Sequence, residues 1–242
     1  MDDHKLHNTF GRKTGFLEKY LGEFVYGGID GCVTTFAVVA GSVGAGLDSA
    51  IIIILGFANL FADGFSMSVG AYLSAKSAKD NYRKHKKIEY WEIENLRETE
   101  VEEVREIYRL KGFEGELLEQ IVDKITEDKD RWVDVMMKDE LEMIHDDKSP
   151  IGIGTVTYLA FLSVGLIPLS IYLWDFITPL ELNLFLVASI LTAIGFIVIG
   201  FFKSKVNKTN MIRGVLETLL LGALAAVVAY FVGDFLEYLV TK

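Results

Sequence analysis

Charge in this chain is confined to one block, and that confinement limits what the rest can become. Between Lys76 and Lys148, 73 residues hold 15 of the 24 Lys/Arg and 22 of the 34 Asp/Glu. A chain that is 51% hydrophobic and 24% charged is therefore not one evenly mixed globule. Five apolar runs reach the ~20 residues that a helix needs to cross a ~30 Å hydrocarbon core. They are Tyr20–Gly46, Ile51–Leu73, Ile151–Trp174, Leu180–Phe202 and Ile212–Phe235. The expected fold is all-α: a polytopic membrane protein of five transmembrane helices, with a three-helix water-soluble insert between spans two and three. The expected divisions are an N-terminal segment 1–19, spans one and two over 20–75, the insert over 76–148, and spans three to five over 149–242.

The first two spans are the weaker ones, because Gly, Ser, Asn and Asp interrupt them. That composition suits helices lining a pathway. Asp30 sits midway along span one among glycines, and Asp63 lies in span two. An ionisable group inside a span costs at least ~2.5–3.5 kcal/mol, so it is kept chiefly where it handles an ion or a proton. Asn59, Asp63 and Met67 recur at i, i+4 and i+8, along one helix face. Gly56, Gly64 and Gly70 would let another helix approach closely. Cys32 is the only cysteine, so no intrachain disulfide is expected; it points away from Asp30 and reads as a packing residue. Glu23, Glu217 and Asp234 lie near span ends, where a long side chain reaches the interface.

Orientation follows from the basic residues. Lys5, Arg12, Lys13 and Lys19 precede span one, and Lys203, Lys205, Lys208 and Arg213 lie between spans four and five. The links near Asp48 and over Asp175–Glu181 have none. The N-terminus and the insert are expected in the cytoplasm and the C-terminus outside. The stretch Met1–Lys19 is polar and does not read as a cleavable signal peptide.

In the insert, Ser74 to about Arg109 reads as one helix continuing span two, ended by Gly112. A second helix is expected from Glu114 to about Thr126 and a third from about Lys129 to His145. Glu89, Glu92, Glu100 and Glu103 form two i, i+3 pairs 11 residues apart, hence one stripe on a straight helix. Met136, Met137 and Glu140 would share a broad face of the third helix. Together they describe an oxygen-rich cation site edged with soft sulfur. The plainer alternative is a solvated glutamate face, with the methionines packed beside Trp132 and Val135. Glu142-Met143-Ile144-His145 spells the E-x-x-H of di-iron oxidases, but such a centre needs two of these motifs and this chain has one.

These residues resemble the vacuolar iron transporter family. The resemblance rests on Gly28-Ile29-Asp30-Gly31 with Ala40-Gly41, on Ala62-Asp63-Gly64-Phe65-Ser66-Met67-Ser68 running through Leu73 to Ala75-Lys76-Ser77, and on Trp132, Met136-Met137-Lys138 and Glu140-Leu141. It covers the chain from about Gly22 onward. It implies a homodimeric exchanger of ferrous iron for protons, with the transport site at the two-fold axis between spans one and two. It implies Asp30 and Met67 as transport-site ligands. Glu89, Glu92, Glu100, Glu103, Met136, Met137 and Glu140 would be ligands of a cytoplasmic metal-binding domain. Many family members have Glu where this chain has Asn59, and Asp63, one turn on, is the expected replacement.

The resulting expectation is a non-enzymatic, proton-coupled exporter of Fe²⁺, and of Mn²⁺ or Co²⁺, from the cytoplasm. The metal is substrate and ligand; no prosthetic group and no nucleic-acid partner are expected. The partners are a second copy, the bilayer, metal ions and protons. Two rivals stand beside it: a Ca²⁺/Mn²⁺ exporter on the same scaffold, and a membrane-anchored metal sensor or store. A short Ile- and Lys-rich chain with no sorting segment reads as prokaryotic plasma membrane, or as vacuolar membrane in a eukaryote.

Overall fold

The computed structural model describes residues 19–207 and 209–241. Most of the expected segment 1–19, including Lys5, Arg12 and Lys13, lies outside the described residues, as does Lys208. Every regular element among the described residues is helical: α1 (Leu21–Gly44), α2 (Ser49–Asn95), α3 (Arg97–Leu110), α4 (Gly115–Thr126), α5 (Lys129–Val135) with a π-helical turn Met136–Glu140, α6 (Pro150–Gly165), α7 (Ile167–Ile177), α8 (Leu184–Asn207) and α9 (Met211–Val240). Two compact units result. One takes the residues through Tyr72 and from Lys148 onward, and the other takes Leu73–Asp147.

In the first unit, α1, α2, α8 and α9 are each long and apolar enough to cross a membrane. The third expected span is not one straight helix: α6 and α7 qualify only as a pair bent by 50°. The cause is local. Pro168 has no N–H to give to the carbonyl one turn back, and Leu169 N–H bonds instead to Leu166 O at 3.2 Å. The count is four spans, or five with the bent pair.

Helix α1 is central to this unit, and its small residues explain why. A Cβ at Gly31 would run into the Phe161 carbonyl of α6, and one at Gly44 into the Tyr230 carbonyl of α9. Backbones therefore meet at van der Waals distance, which is how helices associate where no hydrophobic drive separates them from lipid. Gly56 and Gly64 of α2 act similarly, against Leu169 and against Phe161 with Tyr158. Gly70 meets nothing within 4 Å, so the third of the expected close approaches is absent from the chain itself. Val39, Ile52, Leu60, Phe161, Leu169, Tyr172 and Ala188 fill the core, and Cys32 is fully buried as expected of a packing residue. Helix α9 leaves a broad apolar face, including Leu216, Leu220, Leu224, Val228 and Phe235, uncovered.

The second unit departs from the expected three helices at two points. The long helix is broken at Leu96 (φ −125°, ψ 32°), so α2 ends at Asn95 and α3 begins at Arg97. The third helix stops at Glu140 rather than His145. Its last turn is π-helical, with Leu141 N–H on Met136 O at 3.1 Å, and Glu142 has left-handed φ of 52°. Glu142 and His145 are therefore not one helical turn apart on a helix, which removes the geometry that an E-x-x-H motif needs. Asp128 caps α5 by accepting Arg131 N–H at 2.8 Å, and Gly112, at φ 92°, ends α3 as expected. Ile93, Val104, Leu118, Val122, Ile125, Trp132, Val133, Met136 and Met137 form the core of this unit.

Candidate metal centres

In the insert unit, the break at Leu96 puts Glu89 and Glu92 on α2 and Glu100 and Glu103 on α3. They are brought together across two helices instead of along one stripe. Glu89 and Glu100 are each only 3% exposed, and one oxygen of each (Oε2) is buried with no hydrogen-bond partner. Burial pushes the Glu89 carboxyl up to about 7, helped by Glu140, Glu92 and Glu103. It pushes Glu100 up to about 8, helped by Glu103, Glu89, Glu92 and Glu140. Glu140 is raised by burial and then by Glu103 and Glu92. All five expected carboxylates thus feel one another. Among the described residues none of them forms an ion pair, whereas Glu94, Glu102, Glu106 and Glu119 on neighbouring surfaces all do.

Met136 and Met137 are fully buried in the same core as Ile93 and Val104, from the helices that carry these carboxylates. The π turn lets consecutive methionines both face inward, and Lys111 holds its outer side through Asp139 at 2.5 Å. Among the described residues no three acidic, imidazole or thiol side chains converge tightly enough to clasp an ion as they stand. The unit gathers carboxylates whose mutual repulsion only a cation or protons can relieve, with thioethers packed beside them.

In the membrane unit, Asp30 is half-buried on α1 and lies within coulombic reach of Asp63 on α2. Asp63 itself is exposed, flanked by Phe61 and Phe65, which are 51% and 62% exposed. Asn59, one turn earlier, has its amide nitrogen buried without a hydrogen-bond partner. Met67 packs against the core that contains Leu60 and Phe161. Asp30 and Asp63 are therefore within electrostatic reach of each other, while Asn59 and Met67 lie one turn to either side of Asp63 on α2.

In the sequence Glu23 reads only as an end-of-helix charge. Glu23 forms a 2.6 Å ion pair with Lys148, just before α6. Glu217, as expected, serves the end of its helix, paired with Lys203 at 3.4 Å and Arg213 at 3.1 Å.

A family model described as the VIT family matches residues 21–234. A protein of Toxoplasma gondii named vacuolar iron transporter is 36% identical over 98% of this chain and 80% of its own length. Its namesake in Plasmodium falciparum is 33% identical over 88% and 81%. Vacuolar iron transporter 1 of Tulipa gesneriana is 31% identical over 86% and 83%.

Proposed function

The chain belongs to the VIT family, and on that premise we propose that it exchanges ferrous iron for protons across a membrane. The observation that carries the reading is the pair Asp30 and Asp63: two carboxylates in mutual electrostatic reach, on two helices apolar enough to be membrane spans. Two such groups repel unless a divalent cation or protons neutralise them. Metal and proton then compete for the same oxygens, which is the simplest physical basis for exchange. Met67 supplies the soft ligand that tilts such a site from Ca²⁺ or Mg²⁺ toward Fe²⁺, Mn²⁺ and Co²⁺.

The working unit is a homodimer. An exposed carboxylate inside a membrane span is costly, and Asp63 on α2 is exposed in one copy of the chain. A second copy packed against the face of α2 that carries Asp63 buries it and doubles the ligand set. The insert, in the cytoplasm, captures metal through Glu89, Glu92, Glu100, Glu103, Met136, Met137 and Glu140 and raises its local supply. The relatives' names favour a vacuolar-type membrane over the plasma membrane.

The test is uptake into proteoliposomes with and without a pH gradient, across Fe²⁺, Mn²⁺, Zn²⁺ and Ca²⁺. Gradient-driven Fe²⁺ uptake that Ca²⁺ does not compete away supports the proposal. Preferred Ca²⁺ transport favours the alternative exporter, and binding without transport favours the sensor or store.

A further inference from the structure

Helices α8 and α9 touch closely near one end of the pair and leave a groove towards the other. A Cβ at Gly214 would meet Ser204 Oγ at 2.0 Å, and one at Gly222 would meet the Phe196 ring at 2.1 Å. The next glycine of α9, Gly233, meets the Gly41 carbonyl of α1 instead. Between these contacts the small side chains Ala223 and Ala226 leave a groove of about 410 Å³, bounded by α1, α8 and α9. Phe196 lines one end. At the other, the rings of Phe36, Phe185 and Tyr230, one from each helix, follow one another at 6.1 and 6.0 Å. Phe185 and Phe196 are separated by about 16 Å along α8, at 1.5 Å per residue.

The lining is almost wholly apolar, and among the described residues no charged side chain belongs to it. Ser189 and Thr192 line it too, but each hydroxyl donates within its own helix, to Phe185 O and Ala188 O, both at 2.7 Å. A buried water needs about two to four polar partners, which this groove does not offer it. All three helices are long and apolar enough to cross a membrane, and Phe231 at the rim is 64% exposed. The groove therefore opens on hydrocarbon. A helix does not fit: it is about 10–12 Å wide with its side chains, so a single turn already takes roughly 420 Å³. An empty slot would forfeit the dispersion contacts of every ring that lines it.

We propose that this groove is a binding site for one acyl chain of a bilayer phospholipid, held there longer than the lipid around the rest of the protein. Three helices surround the chain, where ordinary boundary lipid meets one face only. The groove's volume falls among those of ligand pockets, about 300–1,000 Å³. The chain also packs against Phe36, on the helix that carries Asp30. It completes the support of α1 where Phe36, Ala40 and Ala226 form only a small core. Only the membrane placement of these helices is required, whatever ion the protein moves.

The test uses the full-length protein with tryptophan reporters on α9. Phe231→Trp stands at the rim of the groove, and Val228→Trp replaces a side chain that is 63% exposed and does not line it. Each variant is reconstituted in phosphatidylcholine with brominated acyl chains, which quench indole on contact. It is then exchanged into detergent by gel filtration, with the emission of the parent protein subtracted. Position 231 should keep more than about half of its quenching, whereas position 228 should lose nearly all of it. Equal recovery at both positions would overturn the proposal.

A filled groove gives the second arm. Ala223→Phe, or Ala193→Leu from the facing helix if the first misfolds, should abolish the retained quenching. Stripped of lipid, the filled variant should melt about 2–4 °C above the native chain, and returning lipid should close that gap. Quenching retained in a filled variant overturns the lipid site. So does a filled variant that turns dimers into monomers, because the groove would then receive a side chain of a second copy.

Discussion

Glu89 and Glu100 sit on different helices, either side of the break at Leu96, yet both are buried and Glu89 helps to push Glu100 up to about 8. A pair of acids so placed is a source of instability at neutral pH. The free carboxyl of an unfolded glutamate titrates near about 4.3. Between that pH and about 7 to 8, the folded insert holds more protons than the unfolded chain, so its stability falls as pH rises. Without metal, the fragment Leu73–Asp147 should melt lower at pH 8 than at pH 5.5. Each lost kcal/mol is worth roughly 4–8 °C in a domain of this size. Thermal denaturation followed by circular dichroism checks the sign.

Metal should reverse that trend. Mn²⁺ or Fe²⁺ binds the deprotonated cluster and raises its melting temperature by linkage, more at pH 8 than at pH 5.5. Equal shifts at both pH values would mean that the bound groups are not the raised carboxyls.

Removing the buried charge should separate folding from binding. Glu100→Gln should raise the metal-free melting temperature at pH 8 and cost about tenfold or more in metal affinity. The control triple Glu94→Ala/Glu98→Ala/Glu106→Ala removes exposed groups, two of them paired with Lys129 and Arg109, and should change affinity by less than about twofold. Calorimetric titration of both variants decides between a defined site and diffuse attraction.

Asp30→Asn preserves shape and removes the titrating charge. Transport should fall to background, with the detergent-solubilised protein melting no lower than the native one, because the repulsion from Asp63 is relieved. Normal Fe²⁺ flux in the variant would remove Asp30 from the transport site.

Asp63 and Met67 should divide coupling from selectivity. Asp63→Asn should weaken the response to a pH gradient, and adding Asn59→Glu in that background should recover it. Met67→Ala should weaken competition by Fe²⁺ and Co²⁺ more than by Ca²⁺ and Mg²⁺. Equal losses for hard and soft ions would leave Met67 as core packing beside Leu60.

The helical class and the candidate spans were legible because hydropathy and charge segregate along the chain. Asp30 and Asp63 are conspicuous in the sequence because a carboxylate in an apolar run stands out by cost alone. The breaks were less visible. Leu96 carries no helix-breaking chemistry, so the bend there follows from tertiary packing of α3. Pro168 was a signal for the bend in the third span, but the apolar run around it reads as continuous. The glutamates expected on one stripe do come near one another, but for a different reason: two helices face each other where one straight helix was expected. The ion pair of Glu23 with Lys148 joins residues 125 positions apart, beyond what periodicity reports.

The π turn at Met136–Glu140 makes the insert sensitive to length in an unusual way. One fewer residue between Met137 and Glu140 would let ordinary i→i+4 bonding resume, and everything beyond the deletion would rotate by about 100°. Substituting Lys138, which is exposed, should be nearly silent, whereas deleting it should leave a well-formed helix with Glu140 aimed elsewhere. At this turn, the length of the chain, more than the identity of the side chain at position 138, carries the placement of Glu140.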